Sequence, residues 1–448
     1  MSVIAAVATG GVKAALSVIR LSGEGCHELA LRLFAPASGK APKPGRAYFG
    51  TLRARSGEPL DTCVATFARA PKSYTGEDTV ELTIHGSPVV AAAVLRELFA
   101  LGARQAGPGE FTQRAFLNGK TDLTGAEAVV DIVDARTENA ARNAAAQLTG
   151  GLLAKIKEIY AELTYLPAHF SALVDFPDED VEPADEAAAL ETLKKAEREL
   201  AALEASKERG RVLREGVPAA LAGRVNAGKS SLLNLLCGAD RAIVTDVPGT
   251  TRDTVETELT LGGVLLRLSD TAGLRETDDP VEKLGVKRAE AAAAGAELLL
   301  AVFDGSVPAR SDDERVAALS APRRVAVINK TDLPASPEAY RPEGFDAVVR
   351  VSAKTGEGVE ELARAVAELF GGAEPPNGEI ITNLRQAEAV SRARAAVSRA
   401  VEAAEAGVTP DAVLLDVEEG LSALAELTGA SVRDDIVAEI FSRFCVGK

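Results

Sequence analysis

The sequence predicts a multidomain α/β and α protein. It has an N-terminal α+β domain, a helical domain split in two, and an inserted P-loop nucleotide-binding domain with a mostly parallel sheet. Three observations predict it. Residues 217–231 read VPAALAGRVNAGKSS, an apolar run closed by Gly223 and followed by Gly228, Lys229 and Ser230 at the spacing of a phosphate loop. From 216 to 371 short apolar runs alternate with helical stretches, the pattern of right-handed crossovers and a parallel sheet covered on both faces. On either side of that block the apolar positions recur at helical spacing, so each flank carries a stripe that needs a partner.

The chain has 448 residues, enough for about three domains. Residues 1–118 alternate strand and helix patterns, with strands expected at 2–8, 15–20, 46–53, 61–69 and 79–85 and helices at 25–34 and 88–101, an α+β domain with its own core. Its polar stretches, SYTGED (73–78) and GEFT (109–112), with Arg20 and Glu81, read singly as turns, caps or solvated faces. Residues 119–211 form the first helical part. Helices are expected at 126–135 and 139–176, the second kinked or broken at Gly150-Gly151 and at Pro167. An acidic run at 175–180 reads as a solvated connection, and Leu193, Ala196, Leu200 and Leu203 fall on one face of the next helix. After the nucleotide-binding unit (216–371), GGAEPPNG is a linker. Residues 379–448 are the second helical part, with Leu414, Val417, Leu421, Leu424 and Leu427 on one stripe and Ile436, Ile440 and Phe444 marking a last amphipathic helix, whose apolar side is expected to take in Cys445. Packing the two helical parts together places the nucleotide unit as an insertion whose ends lie close in space.

Composition narrows the function classes. No apolar run reaches the ~18 residues of a membrane span, and no charged-apolar-small leader opens the chain, so a cytoplasmic protein is expected. Cys26, Cys63, Cys237 and Cys445 are dispersed, which reads as reduced thiols and not as a zinc site or disulfide framework. The net charge of −16 leaves no basic tail for wrapping nucleic acid, so any RNA contact must be local or shared with a partner.

The phosphate loop states its own chemistry. Its glycines let consecutive N–H groups converge on an anion. Lys229 would place a charge on the β- and γ-phosphates, and the Ser230 hydroxyl would ligate Mg²⁺. The helix entered at Ser231 adds the positive end of its dipole. Asp270-Thr271-Ala272-Gly273 follows the apolar run 264–268, where a carboxylate can hold the Mg²⁺ shell through water and Gly273 N–H can swing to the γ-phosphate. Asn329-Lys330-Thr331-Asp332 ends the run VAVIN. A carboxylate there accepts from N1–H and the 2-amino group of guanine; adenine offers neither donor, a mismatch worth roughly 10⁴. Ser352-Ala353-Lys354 ends the next run and supports the base, and TDVPGTTRD (245–253) lies where the first switch loop must sit. These signals, in this order, point to GTP.

Six stretches together carry a resemblance: SYTGEDTVEL (73–82), GEFTQRAFLNGK (109–120), NAGKSSLLN (226–234), TDVPGTTRD (245–253), DTAGLRET (270–277) and the terminal FCVGK (444–448). Over essentially its full length the chain resembles the bacterial tRNA modification GTPases of the MnmE (TrmE) family. The resemblance implies a Ras-like GTPase domain and a folate-binding-like N-terminal domain that forms a homodimer. It implies 5-formyl- or 5,10-methylene-tetrahydrofolate held by Arg20, Glu81, Lys120 and Lys448. It also implies an FAD-containing partner, MnmG (GidA), with which an aminomethyl or carboxymethylaminomethyl group is placed on C5 of the wobble uridine of certain tRNAs. For GTP it implies contacts from Asn226, Ala227, Gly228, Lys229, Ser230 and Ser231, and from Thr245, Asp246, Val247, Pro248, Gly249, Thr250 and Thr251. K⁺ would be held by Asn226 and by carbonyls near Thr245, Val247 and Thr250, Thr251 would complete the Mg²⁺ shell, and Glu282 would orient the attacking water. Leu274 stands where other such enzymes place a glutamine, so it cannot do that work. Departures from the family pattern are the loop Gly10-Gly11-Val12-Lys13-Ala14-Ala15, Ser87 after His85-Gly86, and Val225 in the phosphate loop.

Two other readings compete. One is a non-catalytic, Era-like GTPase switch in ribosome assembly, which usually carries a basic RNA-binding module that is not evident here. The other is a folate enzyme regulated by its GTPase unit.

Overall fold

The computed structural model describes residues 2–175, 186–239, 257–268, 290–371, 377–429, 437, 440–442 and 444–447. The chain forms two compact units, Met1–Val130 with Ser422–Lys448, and Asp131–Leu421. No described helix is long and apolar enough to cross a membrane.

The first unit is built on β1 (Ile4–Val7), β2 (Leu16–Ser22), β3 (Phe34–Pro36), β4 (Arg46–Arg53), β5 (Pro59–Ala68), β6 (Thr79–His85) and β7 (Arg104–Gln105). They form one sheet in the order β3-β4-β5-β6-β2-β1-β7. Every pairing is antiparallel except β1 with β7. Period-two burial explains its faces: in β5, Cys63, Ala65 and Phe67 point into the core while Thr62, Val64 and Thr66 face out. Helices α1 (Cys26–Leu31) and α2 (Pro88–Ala100) supply Leu29, Ala91, Val94 and Leu98 to the same core. Strands β4 and β6 fall on the expected residues, whereas the two- and three-residue strands β7 and β3 carry no periodic signal of their own.

GEFT, which reads as a polar turn, opens helix α3 (Glu110–Leu117), and α4 (Leu123–Asp134) follows. Gly109, at φ 62, precedes α3 in the left-handed region. A side chain there would stand 2.8 Å from the Phe441 carbonyl, so the glycine is what admits the C-terminal segment. Phe441 and Phe444 pack with Leu123 and Ala126, and Val446 bridges to Pro108. Cys445 therefore departs from expectation: it lies in extended chain beside Pro108, exposed, instead of on the apolar side of a helix.

The second unit opens with α5 (Glu138–Leu148), α6 (Gly151–Asp175) and α7 (Glu186–Glu215). Gly150 at φ 95 ends α5, as expected, but α6 runs on through Pro167. A proline inside a helix removes one N–H, and burial of Leu163 and Leu166 in the turn before it offsets that loss. Leu193, Ala196, Leu200 and Leu203 of α7 are buried. They face α11 (Leu384–Glu405), whose Ala389, Ala393, Ala396 and Ala400 allow close approach. Lys194 to Glu405 (2.7 Å) and Ser398 to Glu197 (2.6 Å) flank that seam. Helix α12 (Pro410–Thr428) buries Val417, Leu421, Leu424 and Leu427, with Leu414 half-buried.

Between α7 and α11 the chain forms β8 (Val217–Ala222), α8 (Lys229–Ala239), β9 (Thr257–Leu261), β10 (Val264–Leu268), β11 (Leu298–Asp304), α9 (Ser311–Ala317), β12 (Arg323–Asn329), β13 (Ala347–Arg350) and α10 (Val359–Leu369). The sheet order is β13-β12-β11-β8-β10-β9, parallel throughout except the β9–β10 hairpin. All seven residues of β11 are buried, as a central strand covered on both faces requires.

Candidate functional site

In an open parallel sheet the ligand crevice lies at the carboxyl ends of the strands, and here β8, β11, β12 and β13 all deliver their loops to that edge. After β8 the backbone turns through Gly223, Asn226 (φ 65) and Gly228 (φ 94) into α8. A Cβ on Gly223 would stand 2.6 Å from the Val302 carbonyl, and one on Gly228 would stand 2.1 Å from Asn329 Nδ2, so neither position admits a side chain without movement. Lys229 folds back over the loop, its Nζ donating to the carbonyls of Gly223 (2.6 Å) and Arg224 (2.9 Å). Burial lowers its pKa. Ser230 and Ser231 lie in the first turn of α8. A loop of this kind collects N–H groups and one cation around a phosphate chain.

The base loop is tied to the phosphate loop through Asn329. This side chain is fully buried, donating from Nδ2 to the Ala227 carbonyl (2.9 Å) and accepting at Oδ1 from Ala353 N–H (3.0 Å). Three residues on, Asp332 Oδ1 accepts from Ser352 Oγ (2.8 Å), and Lys354 Nζ lies 3.9 Å from Oδ2. The structure thus brings Asn329, Asp332, Ser352, Ala353 and Lys354 together beside Ala227 and Gly228. Lys330, at φ 69, reaches Asp304 Oδ2 at 2.7 Å. Asp304 carries no motif signal, and neither do its neighbours Arg224 (3.6 Å) and Asp313, which lies 3.3 Å from Arg224. Thr245, Asp246, Val247, Pro248, Gly249, Thr250, Thr251, Asp270, Thr271, Ala272, Gly273, Leu274, Glu282 and Lys448 lie outside the described residues.

In the first unit, Arg20 and Glu81 face each other across β2 and β6, with Arg20 Nε 2.8 Å from Glu81 Oε1. The guanidinium stacks over Tyr74 (4.8 Å) and Phe111 (5.6 Å). Lys120 is exposed, and its stem passes where a side chain on Gly76 would be, 3.1 Å away. The SYTGED and GEFTQR stretches that read singly as turns and caps form one network behind this group. Arg114 donates to Glu77 (2.8 Å), Glu110 (3.0 Å) and the Ser2 carbonyl (3.0 Å). Ser22 Oγ bonds Thr75 and Glu77, both at 2.7 Å, and Tyr74 bonds Thr112 at 2.8 Å. Burial alone would raise the Glu110 carboxyl; hydrogen bonds from Arg104, the Gly107 amide and Arg114 outweigh it and bring the pKa down to about 2. Burial, with Asp78 nearby, pushes the Cys26 thiol up to about 12.

A six-stranded, mostly parallel sheet with a phosphate loop after one strand and an Asn-Lys-Thr-Asp loop after another defines the Ras-like P-loop GTPase class, here carried between helices and accompanied by an α+β domain. Comparison with known proteins makes the assignment particular. A family model described as "GTP-binding protein TrmE N-terminus" matches residues 3–120, and one described as "MnmE helical domain" matches residues 123–445. The chain is 44% identical to the tRNA modification GTPase MnmE of Roseiflexus castenholzii over 99% of both chains. It is 44% identical to that of Thermus thermophilus, again over 99% of both. For Akkermansia muciniphila the identity is 42%, over 99% of this chain and 98% of the relative. The chain belongs to the MnmE family of tRNA modification GTPases.

Proposed function

We propose that the protein hydrolyses GTP and, as its relatives' name states for them, takes part in tRNA modification, acting on the wobble uridine with an FAD-containing partner of the MnmG type. The observation that carries the reading is the Ser352-held Asp332 carboxylate, on a base loop that Asn329 ties to the phosphate loop. In this reading residues 216–371 are the GTPase domain, 119–211 and 379–448 the two parts of the helical domain, and 1–118 the folate-binding and dimerisation domain. The GTP-binding residues are those named above, with Lys229 on the β- and γ-phosphates.

The donor set around α8 suits Mg²⁺, because Ser230 presents a hydroxyl in the first helical turn; Thr251 would be its second protein ligand. Asn226, exposed and left-handed, suits a K⁺ that Thr245, Val247 and Thr250 would also hold. Such a cation neutralises charge developing on the phosphates. Glu282 would then orient the attacking water. In the first unit a ring-stacked arginine, a carboxylate and an exposed lysine suit the pterin and glutamate ends of 5-formyl- or 5,10-methylene-tetrahydrofolate, with Lys448 as a further contact. The protein would work in the cytoplasm as a homodimer.

The test is mass spectrometry of tRNA nucleosides from cells with and without the protein. Loss of C5-aminomethyl-type wobble uridines is expected; an unchanged nucleoside profile would overturn the reading.

A further inference from the structure

We propose that Asp304 is a positioning residue for guanine-nucleotide binding, acting through Lys330 on the base loop and through Arg224 on the phosphate loop. The inference rests on the guanine-nucleotide reading above.

Topology puts this carboxylate where it can serve both loops. Strand β11 lies between β8, which feeds the phosphate loop, and β12, which feeds the base loop. Asp304 is its last residue, in register with Asn329. Each carboxylate oxygen has its own work. Oδ1 accepts from Ser306 N–H (3.0 Å) and Oγ (2.6 Å), which fixes the plane of the group. Oδ2 accepts from Lys330 Nζ (2.7 Å) and lies 3.6 Å from Arg224 Nη2. Arg224 in turn stands 3.3 Å from Asp313 Oδ1. The other oxygen of Asp313 accepts from Arg310 N–H (2.9 Å) at the start of α9. The side chains of Asp304 and Asp313 are each 4% exposed and that of Arg224 is 8% exposed. Little water screens these three charges, so each depends on its partners, while Lys330 reaches Asp304 from a side chain that is 31% exposed.

The backbone supplies the functional consequence. Lys330 holds φ 69, a conformation that residues with a Cβ seldom adopt. Its ammonium is anchored on Asp304, and the same turn presents Asp332 two residues later. Arg224 lies two residues before Asn226, where the phosphate loop takes its own left-handed turn. Asn329 already joins the two loops at Ala227. Asp304 is the second tie, and the one that fixes the lysine.

Asp304→Asn keeps the shape and the Ser306 bonds but replaces the anionic Oδ2 with an amide nitrogen that cannot accept from Lys330. Binding of GDP and GTP to the full chain, steady-state hydrolysis and thermal unfolding of the nucleotide-free protein form the test. Kd for both nucleotides should rise together, by about tenfold, the equivalent of one lost charge-assisted hydrogen bond. Turnover at saturating GTP should stay within about twofold, as loss of binding shared by ground and transition states predicts. Asp313→Asn, which touches Arg224 but not Lys330, is the control for a merely structural part. If it weakens GDP as much as Asp304→Asn does, the proposal is overturned. It is equally overturned if Asp304→Asn lowers thermal stability and leaves both Kd values at wild type. A wild-type chain that binds neither nucleotide would instead remove the guanine-nucleotide reading beneath it.

Discussion

The carboxylate of Asp332 is aimed by its neighbours: Ser352 Oγ holds one oxygen at 2.8 Å and Lys354 Nζ stands 3.9 Å from the other. Its side chain is 16% exposed, so an incoming base replaces the little water it keeps. In Asp332→Asn one acceptor becomes a donor, which suits the C2 carbonyl of xanthine and leaves the guanine 2-amino group facing an N–H. GTP affinity should fall on the order of 10² or more while XTP gains, read by competition binding; an unchanged preference for GTP would remove the base-recognition argument. Glu110 makes a different statement, about stability. Its folded pKa of about 2 lies below the ordinary glutamate value of 4.5, so its contribution is present above pH 4.5 and is lost as the pH falls through about 2. At up to roughly 3 kcal/mol by linkage, the contribution is large for one side chain. Glu110→Gln should therefore be less stable than wild type at pH 7, and the gap in denaturant unfolding should narrow between pH 4.5 and 2. A gap that stays constant across that range would contradict the ionic account.

Among the elements, the β9–β10 hairpin has the most telling seat. Its two-residue turn, Gly262-Gly263, has φ 60 and 77, the signs of a type I′ turn that matches strand twist. A Cβ on Gly262 would stand 2.1 Å from the Ala363 carbonyl of α10, and one on Gly263 would stand 2.5 Å from Asn139 Nδ2 of α5. Arg136, just before the Thr137 cap of α5, pairs with Glu258 of β9. Four and eight residues beyond Asn139, on the same helical face, Asn143 and Gln147 donate to the Ile380 carbonyl at 3.1 and 2.7 Å. One stripe of α5 thus holds both the β9–β10 hairpin and the chain returning to α11. Reversing the pair by Arg136→Glu should speed amide exchange in residues 257–268 by about two- to fivefold, the scale of a half-exposed ion pair, and adding Glu258→Arg should restore it. Equal exchange in both variants would mean that the pair does not hold the hairpin. Little of this seat was legible in the sequence, because Asn139, Gly263 and Ile380 are far apart along the chain and each is ordinary where it stands. The phosphate loop and the base loop were legible because their chemistry demands fixed local spacing. The Asp304, Arg224 and Asp313 cluster was not, since strand order alone assembles it. Strand β6 announced itself by the alternation of TVELTIH, whereas α3 was masked by the polar residues of GEFTQR, which serve the Arg114 network. Pro167 read as a kink or a break; it does not break the helix, and tertiary burial of the Leu163 and Leu166 side of α6 sustains it.

At the scale of the whole chain, the first unit takes its last piece from the far end of the sequence. Leu123 and Ala126, with Phe116 and Val129 beside them, share one buried cluster with Val437, Phe441 and Phe444. The final turn depends on Gly447, at φ 105, where a Cβ would stand 2.1 Å from the Val7 carbonyl. Burying two phenylalanine side chains stabilises by roughly 3–6 kcal/mol, a large share of a domain's net stability. A chain ending at residue 436 should therefore lose stability in the first unit and not in the second. Calorimetry can separate the two, because a ligand raises only the transition of the unit that binds it. With GDP and Mg²⁺ the nucleotide-sensitive transition should belong to residues 131–421 and should sit at the same temperature in both chains. The nucleotide-insensitive transition should fall by many degrees on truncation. If truncation instead lowers the nucleotide-sensitive transition, or if the two merge and respond to GDP as one, the division of the chain into two separately stabilised units is wrong.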